Sequence, residues 1–213
     1  MIYAARHAGK GKEMQLTTTL NKIRQHNPCS NGWKKLLKNL GKTTADDEPL
    51  PFSIILDSNG LEDVLWCCRT APEYDQVWRL YAVWCARQVQ RLMIDPRSLN
   101  ALDVAERYAN GQATDEELST AWIAAKDAWE AVEAVKDTRA AKGAGAAAQA
   151  AAWVTAKDIC KATGVASHAA AWATEAIARA AWIAGDARGA EDTIWGTTQA
   201  AQAVKFREMV GNR

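Results

Sequence analysis

Apolar residues return along this chain at helical spacing almost throughout, with polar and charged residues between them. Leu16, Leu20 and Ile23 recur one turn apart, and the run stops at Asn27-Pro28, where proline disfavours helical geometry in its predecessor. Trp33, Leu36, Leu37 and Leu40 then share one side of a short helix, Lys34, Lys35 and Lys38 fill the other, and Gly41 suits a left-handed cap. Residues 42–53, with two prolines and three consecutive acids, read as a connecting loop and as the best internal boundary. Ile54, Ile55 and Leu56 have no partner strand in the sequence, so they predict a short helix ending near Asn59-Gly60, followed by one carrying Leu61, Val64, Leu65 and Cys68.

From Glu73 to Ile94 the apolar positions wrap most of the circumference, which predicts a central helix with neighbours on several sides. Asp95-Pro96 supplies a cap with proline at the first helical position, and that helix runs through Leu99, Leu102, Val104, Ala105 and Tyr108 to a stop at Asn110-Gly111. Thr114-Asp115-Glu116-Glu117 is a capping box. Beyond it the chain is rich in alanine and tryptophan, as in Ala169-Ala170-Ala171-Trp172. Breaks are expected near 139–145, at Gly164 and around Gly185 to Gly189, separating three or four antiparallel helices, the last covering Ala200 to Val210.

The pattern therefore predicts an all-α multi-helix bundle. Its parts are a basic N-terminal helical segment (1–44), a central helical core (45–111) and an Ala/Trp-rich helical bundle (112–213), packed as one domain. Alanine helices have high propensity but little apolar surface, and the ten tryptophans supply it, filling gaps opposite alanines on facing helices. Such surfaces serve a homo-oligomer as readily as an intrachain core.

Composition narrows the class. With 48% hydrophobic and 24% charged residues the chain is an ordinary globular one. It shows no signal-peptide stretch and no run of about 18 apolar residues, so neither secretion nor membrane spanning is expected. Five cysteines without framework spacing read as reduced thiols, placing the chain in a cytoplasm. Charge is uneven: residues 1–44 hold nine Lys and Arg against the single Glu13, a balance of +8, which leaves −7 for the rest of a chain whose formal charge is +1. A basic segment of this kind meets an anionic ligand, lies against acidic surface of its own or another copy, or is simply solvated.

No catalytic constellation emerges. His7, His26 and His168 are dispersed, and His26-x-x-Cys29 offers two ligands where structural zinc takes four. A packed or capping role for Cys29 outweighs a nucleophilic one, and Gly143-Ala144-Gly145 reads as a helix break rather than a phosphate turn. The paired acids Glu62-Asp63 read as helix-start charge. No catalytic residue, metal or cofactor is assigned. The candidate ligand-binding set is Asn31, Gly32, Trp33, Lys34, Lys35 and Lys38, a turn at a helix N-terminus with lysines and an indole able to stack on a base. Trp33 by its spacing reads first as core, and the acidic remainder argues against a long nucleic acid.

Several segments carry a resemblance. They are Asn31-Gly32-Trp33 through Leu40-Gly41-Lys42, Asn59-Gly60-Leu61 to Leu65-Trp66, Arg79 to Val89, Ala-Leu-Asp-Val-Ala-Glu-Arg-Tyr-Ala-Asn-Gly at 101–111, and a tail of Ala-Ala-Trp and Ala-Ala-Arg units. With these the chain resembles, over nearly its whole length, an Ala/Trp-rich helical family of phages and bacteria, mostly uncharacterised, some of whose members are labelled immunity proteins. Thr, Ile and Gly at several repeat positions of the tail depart from a regular member. The resemblance implies a small protein of phage–bacterium conflict that acts by binding in the host cytoplasm, with no catalytic residues to carry over. The first expectation is a phage counter-defence protein that captures a nucleotide immune signal or a nucleotide-bound defence component. The alternative is an immunity or inhibitor protein that neutralises a toxin or bacterial defence enzyme by direct contact.

Overall fold

The computed structural model describes residues 15–134, 139–156, 158 and 190–211. The architecture is an all-α multi-helix bundle with one minimal two-stranded ribbon. In chain order come β1 (Thr17–Thr18), α1 (Leu20–Gln25), α2 (Ser30–Leu40), β2 (Leu50–Pro51), α3 (Phe52–Asn59), α4 (Leu61–Cys67), α5 (Asp75–Arg87), α6 (Pro96–Ala109), α7 (Asp115–Glu133), α8 (Arg139–Val154) and α9 (Ala190–Val210). Short 3₁₀ turns stand at Cys68–Thr70, Pro72–Tyr74 and Gln90–Leu92.

Local chemistry sets most of the ends. Thr19 caps α1 by accepting from the Lys22 amide at 3.1 Å, and Cys29 caps α2, its Sγ accepting from the Gly32 amide at 3.3 Å. Gly41 closes α2 at φ 65°, the left-handed cap its position predicts. Asp95 accepts from the Arg97 amide at 2.9 Å with Pro96 at the first helical position. The Thr114 capping box is complete: its hydroxyl accepts from the Glu117 amide at 3.1 Å, and the Glu117 carboxylate accepts from the Thr114 amide at 2.9 Å.

Three expectations are corrected. Leu16 does not belong to the first helix: the β-branched Thr17 and Thr18 are extended and pair antiparallel with Pro51 and Leu50, which shortens the expected loop of 42–53 at its end. The central helix does not run from Glu73 to Ile94. It is confined to α5, flanked by 3₁₀ turns, while Val89 and Met93 leave the helical path and are still buried. Finally, Gly143 and Gly145 break nothing and lie inside α8. Each costs about 1 kcal/mol against alanine in a helix, a penalty that the alanine-rich flanks and the packing of α8 offset. The expected breaks at Gly164 and Gly185 to Gly189 lie outside the described residues, as do Trp172 and Trp182.

The core is one contiguous cluster running from Leu16 to Val210. At its centre Trp78 is wholly buried, with Phe52 edge-on at 5.0 Å and Phe206 stacked at 5.9 Å. Its indole N–H donates to the Ala71 carbonyl at 2.9 Å, so the polar atom is satisfied in the dry interior. The end of α9 is tied back to the start of the described chain, since the Leu16 amide donates to the Val210 carbonyl at 2.9 Å. Arg207 also reaches Asp57 at 2.6 Å.

In the alanine-rich half, Ala121, Ala125 and Ala128 of α7 and Ala147, Ala150 and Ala151 of α8 are buried, a seam at one-turn spacing that lets the two helices pack closely. Trp122 and Trp153 meet edge-to-face at 5.5 Å beside it and are only partly buried. Trp78 is fully enclosed, whereas Trp33, Trp66, Trp84, Trp122, Trp129 and Trp153 are only partly buried, and the described α7–α8 seam is made by alanine methyls. The end of α8 is held by Arg79, a buried guanidinium of α5 that donates to the carbonyls of Val154 and Ala156 at 2.9 and 3.0 Å, lies over Tyr108 and pairs with Asp75 at 3.6 Å. A cation there satisfies the orphan carbonyls of a helix C-terminus.

Candidate functional site

The short helices at the front of the chain enclose a pocket of about 240 Å³. Its position follows from two turns. Cys29 starts α2 directly after Pro28, and Gly60, at φ 95°, allows the sharp reversal from α3 into α4 that brings Asn59 and Asp63 back against α2. Asn59 then joins the three helices, its side-chain amide donating to the Gly32 carbonyl at 2.9 Å and to the Asp63 carboxylate at 2.7 Å. Asn39 braces the same corner from α2 by donating to the Ser58 hydroxyl at 2.8 Å.

Two indoles, Trp33 and Trp66, line the pocket with Glu62, Asp63 and the apolar Leu36 and Ile55. Both indoles are half-buried, and Glu62 is exposed with no hydrogen bond or ion pair among the described residues. One part of the Trp66 ring is already covered by Arg69, whose guanidinium lies 4.3 Å from the ring centroid and whose Nε donates to the Trp66 carbonyl at 2.7 Å. Arg69 does not line the pocket, so the pocket meets Trp66 elsewhere on its surface.

The six residues expected to form one ligand site are divided by the structure. Gly32 and Trp33 line the pocket. Lys35 stands at its edge, Nζ donating to the Asn59 carbonyl at 3.4 Å. Asn31, Lys34 and Lys38 are exposed, and at about 100° per residue they lie around the helix from Gly32, Trp33 and Leu36 rather than beside them. The start of α2, where an anion was expected, holds the chain's own carboxylate: a Cβ placed on Gly32 would stand 2.8 Å from Asp63 Oδ2. That carboxylate lies against the first turn of α2, where its charge disfavours a second anion.

Among the described residues the basic segment is only partly matched. Lys22 pairs with Glu73 at 3.3 Å, and Lys42 bridges Asp46 and Glu48 at 2.5 and 2.6 Å, which raises the Lys42 ammonium above its ordinary pKa and lowers the Asp46 carboxyl through their hydrogen bond. Lys34 and Lys38 have no such partner among the described residues.

Two thiols, Cys29 and Cys67, are among the pocket residues. Burial pushes the Cys67 thiol up to about 12, so it stays protonated at neutral pH and is a poor nucleophile. Cys29 spends its sulfur on the α2 cap, the role its sequence context favours. No histidine lines the pocket, and no group of three or more metal-ligating side chains gathers among the described residues. No described helix is long and apolar enough to cross a membrane.

Asn59, Glu62, Asp63 and Trp66 are absent from the sequence-derived set. Glu62 and Asp63 do provide first-turn charge for α4, as their position suggests, and this role hid the other one. The usable signal was Trp66 at one-turn spacing from both acids, in the helix that opens after the Asn59-Gly60 stop. No protein-family model matches this chain, and no curated protein or solved structure matches it either.

Proposed function

We propose that this chain is a non-enzymatic binding protein that neutralises a toxin or a bacterial defence enzyme by direct protein–protein contact through the face where α2, α3 and α4 meet. The observation that carries this reading is the pocket itself, two accessible indoles beside Glu62, which has no partner among the described residues. Tryptophan in a partly enclosed pocket is the common anchor of a protein interface, and the surrounding polar rim excludes water from it. The resemblance carried by residues 31–42, 59–66, 79–89, 101–111 and the Ala/Trp tail is compatible with an immunity role and with counter-defence alike, and does not choose the surface.

Geometry favours this over nucleotide capture in the pocket, because Glu62 and Asp63 repel phosphate there and Lys34 and Lys38 point away from it. Capture of a nucleotide retains one observation in its favour, Lys34 and Lys38 without a partner among the described residues, and would use the outer side of α2.

Co-purification from the host bacterium tests the choice. Tagged protein is expected to recover one stoichiometric partner whose activity it inhibits, and a folded Trp33→Ala/Trp66→Ala variant is expected to recover none. Recovery by both forms alike, or by neither, overturns the reading. A nucleotide-dependent rise in melting temperature that Lys34→Ala/Lys38→Ala abolishes would transfer the function to the lysine side.

A further inference from the structure

We infer that the Trp33/Trp66 pocket is a receptor for an arginine side chain, presented by the partner that the proposed function requires; the inference rests on that reading for the identity of the presenter but not for the chemistry. At about 240 Å³ the pocket falls below the roughly 300 to 1,000 Å³ usual for small-molecule sites and suits one long side chain.

Charge selects a cation. Glu62 reaches the pocket with no partner among the described residues, and Asp63 beside it is held in place by Asn59. The aromatic lining selects a flat one: a guanidinium stacks on an indole face while its N–H fork meets a carboxylate, whereas an ammonium is a compact, strongly hydrated charge. Trp66 already receives a guanidinium from Arg69 at 4.3 Å, and Arg79 lies 5.0 Å from the Tyr108 ring, so the chain itself sets a guanidinium against an aromatic ring at both places. Leu36 and Ile55 offer apolar surface to the methylene stem. Two cations stand near: Lys35, whose Nζ is directed to the Asn59 carbonyl, and Arg69, which lies outside the pocket lining on Trp66 and donates to the Trp66 carbonyl.

The test titrates the whole protein with N-acetyl-arginine amide and with its neutral isostere N-acetyl-citrulline amide, following the indole N–H resonances of Trp33 and Trp66. Arginine amide is expected to shift both resonances in the millimolar range, and citrulline amide to bind at least about tenfold more weakly. Glu62→Gln, an exposed and near-isosteric change, should weaken arginine amide by about threefold or more in protein shown to be folded. Equal binding of the two amides, or arginine binding untouched by Glu62→Gln, overturns the inference. The two failures are separable: partner recovery that still depends on the indoles without arginine preference leaves the binding face in place and removes this occupant. Arginine preference with indole-independent recovery keeps the receptor and removes the proposed function.

Discussion

The indole of Trp78 lies stacked on the ring of Phe206, with centroids 5.9 Å apart and planes only 7° from parallel. That contact joins α5, in the middle of the chain, to α9 at its end, and Tyr81 completes it edge-on to Phe206 at 5.3 Å while donating to the Gln202 carbonyl at 3.3 Å. Phe206 has no exposed surface, so its removal leaves a cavity that neither helix can easily close. Phe206→Ala is expected to lower the free energy of unfolding by about 3 to 5 kcal/mol in urea denaturation. A loss below about 1 kcal/mol would mean that α9 is an accessory rather than part of the core.

Gly32 and Asp63 should be energetically coupled. Alanine at position 32 gains up to about 1 kcal/mol of helix propensity, but its Cβ would meet Asp63 Oδ2 at 2.8 Å and Cys29 Sγ at 3.1 Å. Moving the carboxylate would also break its bond from Asn59. Gly32→Ala is therefore expected to destabilise the protein and to become neutral or stabilising once Asp63→Ala is present. A double-mutant cycle should show a coupling of about 1 kcal/mol or more, and additivity would contradict the close approach.

Cys67 predicts an alkaline dependence. Its folded-state pKa is raised to about 12, so its contribution is complete below its ordinary value near 9 and is lost as pH rises through that window, where the unfolded chain has already released the proton. Above about pH 9 this one group steepens the fall in stability, because the folded thiol keeps a proton that the unfolded chain has lost. Denaturation at pH 8, 9.5 and 10.5 should show the steeper fall in the parent and a shallower one in Cys67→Ala. Parallel curves would show that the thiol is not desolvated.

The parts of the fold legible in the sequence are those set within one helical turn. Thr114 with Glu117, Asp95 with Pro96, and the Gly41 cap all follow from contacts between near neighbours, and each is found as expected. What needed distant partners was hidden. Thr17 and Thr18 are extended because Pro51 and Leu50 pair with them, and α8 tolerates Gly143 and Gly145 among its packed alanines. The candidate site divides in the same way. Gly32 and Trp33 were legible from the turn after Pro28, whereas Asn59 reaches Gly32 across 27 positions of sequence and brings Asp63 with it. Arg79, buried at the end of α8, was unreadable for the same reason, since its acceptors at Val154 and Ala156 lie 75 and 77 residues away.

The choice between the acidic indole pocket and the lysine side of α2 can be decided by calorimetry with the recovered partner. Trp33→Ala/Trp66→Ala is expected to weaken binding by at least about a hundredfold, the loss of two anchor residues, while Lys34→Ala/Lys38→Ala leaves the affinity within about threefold of the parent. The opposite pattern, with the lysine variant crippled and the indole variant unchanged, would contradict a function centred on the pocket.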